Sequence, residues 1–173
     1  YNLTFVDGAM VINKAALTAT GNSASVTYNG ANQTVSGFTV SGLQGTDTVS
    51  SLSSISATGA TAKNAGSHAN TVSAGTETNY TVTPVNGSLD IAKANATVTA
   101  NGGTLTYNGA NQTTSGFTAS GLVGAETASV LTGVSASRTE KNAGTYTTTA
   151  SGTDGNYNLT FVDGAMVINK AAL

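Results

Sequence analysis

A chain of 173 residues with no Cys, one His and six scattered Lys plus Arg excludes a disulfide scaffold, a thiol nucleophile, a multi-His metal site and a basic nucleic-acid surface. Thr, Ser, Ala, Gly and Asn supply 113 of the 173 residues, only 8% are charged, and a net charge of −2 implies no strongly charged partner. No apolar run nears the roughly 18 residues that cross a membrane as a helix, while the regular spacing of the hydrophobic residues, 39% of the total, favours a folded chain over a disordered one.

The chain reads as strand almost throughout. At the start, Tyr1, Leu3 and Phe5 alternate with Asn2 and Thr4, and Met10 and Ile12 alternate with Val11 and Asn13. The two runs flank Asp7-Gly8, which predicts a β-hairpin, because a type I′ turn needs positive φ at both central positions. Leu17 and Ala19 begin the next strand, and Val26 and Tyr28 share one face of another before Asn29-Gly30 turns the chain. Phe38 heads a strand ending at Leu43. Residues 45–52 have room for one or two helical turns, which Thr48 and Val49 oppose. A second predicted hairpin joins Tyr80 and Val82 to Leu89 and Ile91 through Asn86-Gly87, and Pro84 inside it marks an edge strand, since Pro cannot donate to a ladder. The same order then returns: Leu105 and Tyr107, Asn108-Gly109, Phe117 to Leu122, a helical candidate at 124–131, and a third hairpin around Asp163-Gly164.

That return is a repeat. Residues 1–17, YNLTFVDGAMVINKAAL, recur unchanged as residues 157–173, and a diverged copy starts at Tyr80, 79 residues after Tyr1 and 77 before Tyr157. TYNGANQT at 27–34 recurs at 106–113, and KNAG at 63–66 recurs at 141–144. The expected organisation is a closing hairpin of a preceding repeat at 1–14, a first complete module at 15–93, a second at 94–170 and the start of another at 171–173. The fragment therefore reads as a piece of a longer polypeptide. No Gly/Ser spacer separates the modules, so they are expected to form a semi-rigid, elongated rod.

The repeated segments resemble a known family. YNLTFVDGAMVINKAAL is similar to the closing hairpin of MBG-type repeats. KNAG, with NAGTY at 142–146, resembles a segment shared with the related YDG-type repeats, and SGL followed by Gly45–Thr48 or Gly124–Thr127 resembles another. Tyr28-Asn29-Gly30 and Tyr107-Asn108-Gly109 depart from the family's usual Tyr-Gly or Tyr-Asp-Gly. The resemblance implies repeats of very large secreted or surface-attached bacterial adhesins, including filamentous-haemagglutinin-like ones.

Candidate chemistry is sparse. The carboxylates are Asp7, Asp47, Glu77, Asp90, Glu126, Glu140, Asp154 and Asp163. Asp7 and Asp163 belong to turns, and the aligned pair Asp47 and Glu126 suit a loop or helix start. His68, the only His, aligns near Tyr146 at an ordinary strand position, so no base is paired with a Ser nucleophile. No Asp-x-Asp or EF-hand loop offers calcium a cage. Lys14, Lys93 and Lys170 recur in register, as do Lys63 and Lys141; edge lysines explain them, with an isopeptide crosslink as the sharper alternative. Seven Asn-x-Ser/Thr sites barely exceed the about five that composition alone would give. The six Tyr are assigned to the core, and a ligand site, if present, to the loops at 44–62 and 123–140.

The expectation is thus an all-β chain of two tandem immunoglobulin-like sandwich modules, with β-grasp modules carrying one short helix as the alternative. The implied function is a stalk of a bacterial surface adhesin, extracellular and non-enzymatic, with no catalytic, cofactor or metal residues. Its expected partners are neighbouring repeats in the same chain. The alternative is modules that themselves bind glycan or a host or matrix protein, with no nucleic acid, no membrane insertion and a monomeric state.

Overall fold

The computed structural model describes residues 1–172. The first repeat contributes β1 (Ala15–Gly21), β2 (Ala24–Thr27), β3 (Gln33–Val35), β4 (Phe38–Ser41), β5 (Ser56–Ala57), β6 (Ala60–Ala62), β7 (Gly66–Asn70), β8 (Val72–Ser73), β9 (Tyr80–Val85) and β10 (Gly87–Ala92). The second contributes β11 (Ala94–Ala100), β12 (Gly103–Thr106), β13 (Gln112–Ser115), β14 (Phe117–Ser120), β15 (Val134–Glu140), β16 (Gly144–Thr148), β17 (Ala150–Gly152), β18 (Tyr157–Val162) and β19 (Gly164–Asn169). The chain is all-β, with 51% of the described residues in strands. The two candidate helical segments hold only three-residue 3-10 turns, Val49–Ser51 and Ala128–Val130, and the β-grasp alternative, which needs a helix, falls with them. The reason is local: Gly45 and Gly124 sit at φ near +60°, and Leu52 and Leu131 must turn inward directly after the 3-10 turn.

Contacts divide the residues into two units. The first holds residues 1–24, 34–61 and 68–89; the second holds 25–33, 62–67 and 90 onward. In the first, β1 is central, antiparallel to β4 and parallel to β9. Leu17 and Ala19 from β1, Tyr80 from β9 and Val72 from β8 close the core with Leu52 and Ile55, and Phe38, Val40, Ala57 and Val82 pack around them. Inward residues of sheet β4-β1-β9 thus meet those of sheet β5-β8, as in a sandwich. In the second unit β11 repeats the part of β1, antiparallel to β14 and parallel to β18, and β12, β19 and β16 form a further sheet. Ala96, Val98, Leu131, Ala136, Met166 and Ile168 are buried there. Pro84, on β9, pairs with Ala19 of β1, and among the described residues no strand pairs with the other side of β9, so the edge placement is correct.

The hairpins are not formed. β9 and β10 are consecutive but belong to different sheets, as do β18 and β19. Gly87 and Gly164 have no positive φ, so neither makes a type I′ turn. Glycine is needed for another reason. A Cβ on Gly87 would lie 2.2 Å from the Asn22 carbonyl oxygen and 2.4 Å from that of Gly21; on Gly164 it would lie 2.4 Å from the Ala100 oxygen. These are the points where the last strand of each repeat changes sheet in close contact with the first strand, and a side chain would hold the two backbones apart. Asn70 fastens the first crossing. Fully buried, it donates through Nδ2 to the Asn22 and Gly37 carbonyls (3.0 and 2.9 Å) and accepts through Oδ1 from the Gly59 N–H (2.9 Å).

Residues 1–14 differ from expectation too. They carry no strand, and Leu3, Phe5, Met10 and Ile12 are exposed. The expected first hairpin is absent because the segment has no strand to pair with, and an isolated two-stranded ribbon is marginal in water.

Candidate functional site

The most connected polar cluster lies in the second unit around Glu126. Glu126 stands in the turn between β14 and the following 3-10 turn, its N–H bonded to the Val123 carbonyl at 3.2 Å. Tyr157 opens β18, and the Asp154 carboxylate sets its direction by accepting from the N–H groups of Asn156 (2.7 Å) and Tyr157 (3.0 Å). Tyr28 follows β2 and is fixed by its own N–H, which donates to the Ala92 carbonyl at 2.8 Å. The three meet on one carboxylate. The Tyr28 hydroxyl donates to Glu126 Oε1 at 2.6 Å and the Tyr157 hydroxyl to Oε2 at 2.5 Å; the latter also accepts from the Val123 N–H at 3.0 Å. Both tyrosines are buried, and Lys63 Nζ lies 4.0 Å from Oε1. Beside them Asn156 accepts from the Ala65 N–H (2.9 Å) and donates to Asn64 Oδ1 (3.2 Å).

Two short segments that the sequence places in the first repeat, 28–30 and 63–65, are therefore bound by side chains of the second. Donation from Tyr157, then from Tyr28, and the nearby Lys63 hold the Glu126 carboxyl below its usual range. The Tyr28 phenol is pushed up to about 12, chiefly because its proton is bonded to Glu126. Tyr157 is raised as well, first by burial and then by its bond to Glu126. The carboxylate stays charged and the phenols stay protonated across the neutral range, so the chemistry of this cluster is to hold.

The first unit has the counterpart of half of it. Tyr80 donates to Asp47 Oδ2 at 2.6 Å and accepts from the Gln44 N–H at 3.0 Å, as Tyr157 does with Glu126 and Val123. Glu77, aligned with Asp154, accepts from the Ser54 N–H (2.9 Å) and hydroxyl (2.7 Å). The recurring lysines also have matching roles. Lys14 Nζ donates to the Glu77 carbonyl and Lys93 Nζ to the Asp154 carbonyl, each at 2.7 Å. Both lysines thus reach a main-chain carbonyl.

The reading of Asp47 and Glu126 as loop or helix-start residues misses their tyrosine partners; both lie just before a 3-10 turn. Assigning every Tyr to the core holds for Tyr28, Tyr80 and Tyr157 and fails for Tyr1 and Tyr107, which are exposed. A usable signal was present: Tyr-Asn-Gly and an acid 19 residues later both recur, at Tyr28 with Asp47 and at Tyr107 with Glu126. Of the other carboxylates, Asp7 lies in the strandless 1–14 segment, Asp90 on β10, and Asp163 between β18 and β19; Glu140 ion-pairs with Arg138. His68 is on β7, matching Tyr146 on β16. Among the described residues no three His, Asp or Glu are grouped as metal ligands, and no helix is long and apolar enough to cross a membrane.

A family model described as the MBG domain (YGX type) matches residues 17–90 and again residues 96–167. The chain belongs to the MBG-domain family. The Glu126 cluster then has a definite place: Tyr28 and Lys63 fall in the first MBG match, and Glu126 and Tyr157 in the second. No curated protein matches the chain, and no solved structure does.

Proposed function

We propose that these MBG domains are structural stalk repeats of a bacterial surface adhesin, extracellular and non-catalytic, which carry a distal binding region away from the cell. The observation that supports this reading is the way one repeat is joined to the next. Lys93 alone separates β10 from β11, and Glu126 and Asn156 take hold of the turns at 28–30 and 63–65. One connecting residue, with side chains of the second repeat bonded to turns of the first, leaves no separate linker segment between the repeats, and that continuity suits a spacer. Low charge and abundant Ser and Thr suit a soluble stalk of low adhesiveness.

The test joins two measurements on this chain. Small-angle scattering on the wild type and on Glu126→Ala should give a narrow distribution of dimensions that broadens in the variant. A glycan array and a matrix-protein panel should show no saturable binding; saturable binding by the chain would replace the stalk reading with that of a binding module.

A further inference from the structure

The two halves of the Glu126 cluster recur in this chain without each other. In the first unit Ile12, Lys14, Ala15, Gln44, Asp47 and Tyr80 line an open hollow of about 570 Å³. It has the shape of the receiving half: Tyr80 on one oxygen of Asp47, the Gln44 N–H on the Tyr80 hydroxyl, and Asn79, exposed, at the position of Asn156. The donating half stands in the second unit. Asn108 Oδ1 accepts from the Ala110 N–H, Gly109 has φ +79° and the Tyr107 N–H donates to the Asn169 carbonyl. At the buried turn, Asn29 accepts from Ala31, Gly30 has φ +77° and the Tyr28 N–H donates to Ala92. The two turns share a conformation and differ in surroundings. Tyr28 is 4% exposed and Tyr107 38%. A Cβ on Gly30 would touch Val123 and Glu126 at 3.4 and 3.5 Å, whereas one on Gly109 would meet nothing within 4 Å.

We propose that the Asp47–Tyr80 hollow is a docking site for the Tyr107-Asn108-Gly109 turn of a second copy of this chain. The incoming hydroxyl takes the Asp47 oxygen that Tyr80 leaves, as Tyr28 takes Oε1 of Glu126, and the Lys141–Ala143 segment takes Asn79, as Lys63–Ala65 takes Asn156. Residues 8–13 yield the approach, since they pair with no strand and moving them breaks no ladder. Because the hollow and the turn lie on different parts of the chain, each contact joins the hollow of one copy to the turn of another. The inference rests on the stalk reading for its purpose, since the same contact would seat successive repeats. Its test reads self-association alone, so it can fail while the scattering and array results stand.

NMR spectra of the labelled chain are recorded at rising concentration, up to about 1 mM, where even a weak contact is half-saturated. Shifts confined to 44–47, 78–80, 107–109 and 141–143 are expected. Tyr107→Ala, at an exposed position, should abolish them, and Tyr107→Phe should weaken association by about tenfold, the value of a hydrogen bond to a charged acceptor. Asp47→Ala should abolish them too. An equimolar mixture of Tyr107→Ala and Asp47→Ala should form a one-to-one pair and nothing longer, because only one hollow and one turn remain. Absence of concentration-dependent shifts in the wild type, or association that persists in Tyr107→Ala, would overturn the proposal. Should Asp47→Ala not fold, the two Tyr107 variants decide.

Discussion

Tyr28 and Tyr157 meet edge to face, with ring centroids 5.4 Å apart and planes at 80°, and their hydroxyls take opposite oxygens of Glu126. Separated by 129 positions (157 − 28), they are drawn together by one carboxylate. Removing that acceptor leaves two buried O–H donors without it, although the Tyr157 oxygen keeps its bond from the Val123 N–H. Glu126→Ala is therefore expected to lower the stability of the second unit by about 2 kcal/mol, and Tyr28→Phe by about 1 kcal/mol. Urea unfolding followed by tyrosine fluorescence checks both; Asp47→Ala, which strips one tyrosine rather than two, should cost less.

The same groups set the pH range of stability. Glu126 and Glu77 are held below their ordinary value near 4.5, by hydrogen bonds from Tyr157 and Tyr28 and from Ser54 respectively. A lowered carboxyl pKa adds stability that is present above the unfolded value and is lost as pH falls through the folded one. Tyr28, raised from 10.0 to about 12 by its bond to Glu126 first, acts in the opposite sense: its contribution is complete below 10 and is lost as pH climbs towards 12. Stability should be flat between these limits and fall outside them. Glu126→Gln should lessen the fall on both sides, on the alkaline side by freeing Tyr28 to titrate earlier, as phenolate absorbance would record.

Asn70 and Thr148 occupy one position in the two repeats and behave oppositely. Asn70 is fully buried and uses three bonds to tie the backbone at Asn22, Gly37 and Gly59, so Asn70→Ala should cost about 3 kcal/mol. Thr148 is equally buried, yet its hydroxyl has no hydrogen-bond partner. Thr148→Val removes a buried, unpaired polar group at little change in volume and should stabilise by about 0.5–1 kcal/mol. Thermal unfolding of each variant checks the contrast, and a destabilised Thr148→Val would contradict it.

Gly164 and Gly8 stand in the same seventeen-residue sequence. Ala at 164 would overlap the Ala100 and Asn101 carbonyls at 2.4 and 2.7 Å, whereas Ala at 8 would meet nothing within 4 Å. Gly164→Ala should thus destabilise by about 3 kcal/mol or more, with Gly8→Ala within about 0.5 kcal/mol of wild type. A type I′ hairpin at 163–164 would instead need positive φ there, which Gly164 does not have. Equilibrium unfolding of the two variants checks the contrast.

Much of the fold was legible before the structure. Alternation located the strands at Leu17, Phe38, Tyr80 and Leu89 because every second residue faces a core, and the missing N–H of proline placed Pro84 on an edge. Asp-Gly and Asn-Gly misled at 86–87 and 163–164, since glycine there answers to the close passage of another strand, which no local pattern reveals. The candidate site was half legible. The repeated Tyr-Asn-Gly turns and the aligned acids Asp47 and Glu126 were visible, but a bond between residues 28 and 126 depends on how the second unit assembles.

The chain itself supplies the clearest division. Its sequence determined a tandem repeat, an all-β composition and glycines at fixed places, because those follow from periodicity and from what each side chain permits. It did not determine what YNLTFVDGAMVINK would become. At 157–170 this segment makes β18 and β19 against β11, β12 and β16, with Met166 and Ile168 buried; at 1–14 it makes no strand, with Met10 and Ile12 in solvent. A strand's hydrogen bonds and its apolar face are satisfied by neighbours, so only the tertiary structure, by offering partners at one end and none at the other, decided between the two.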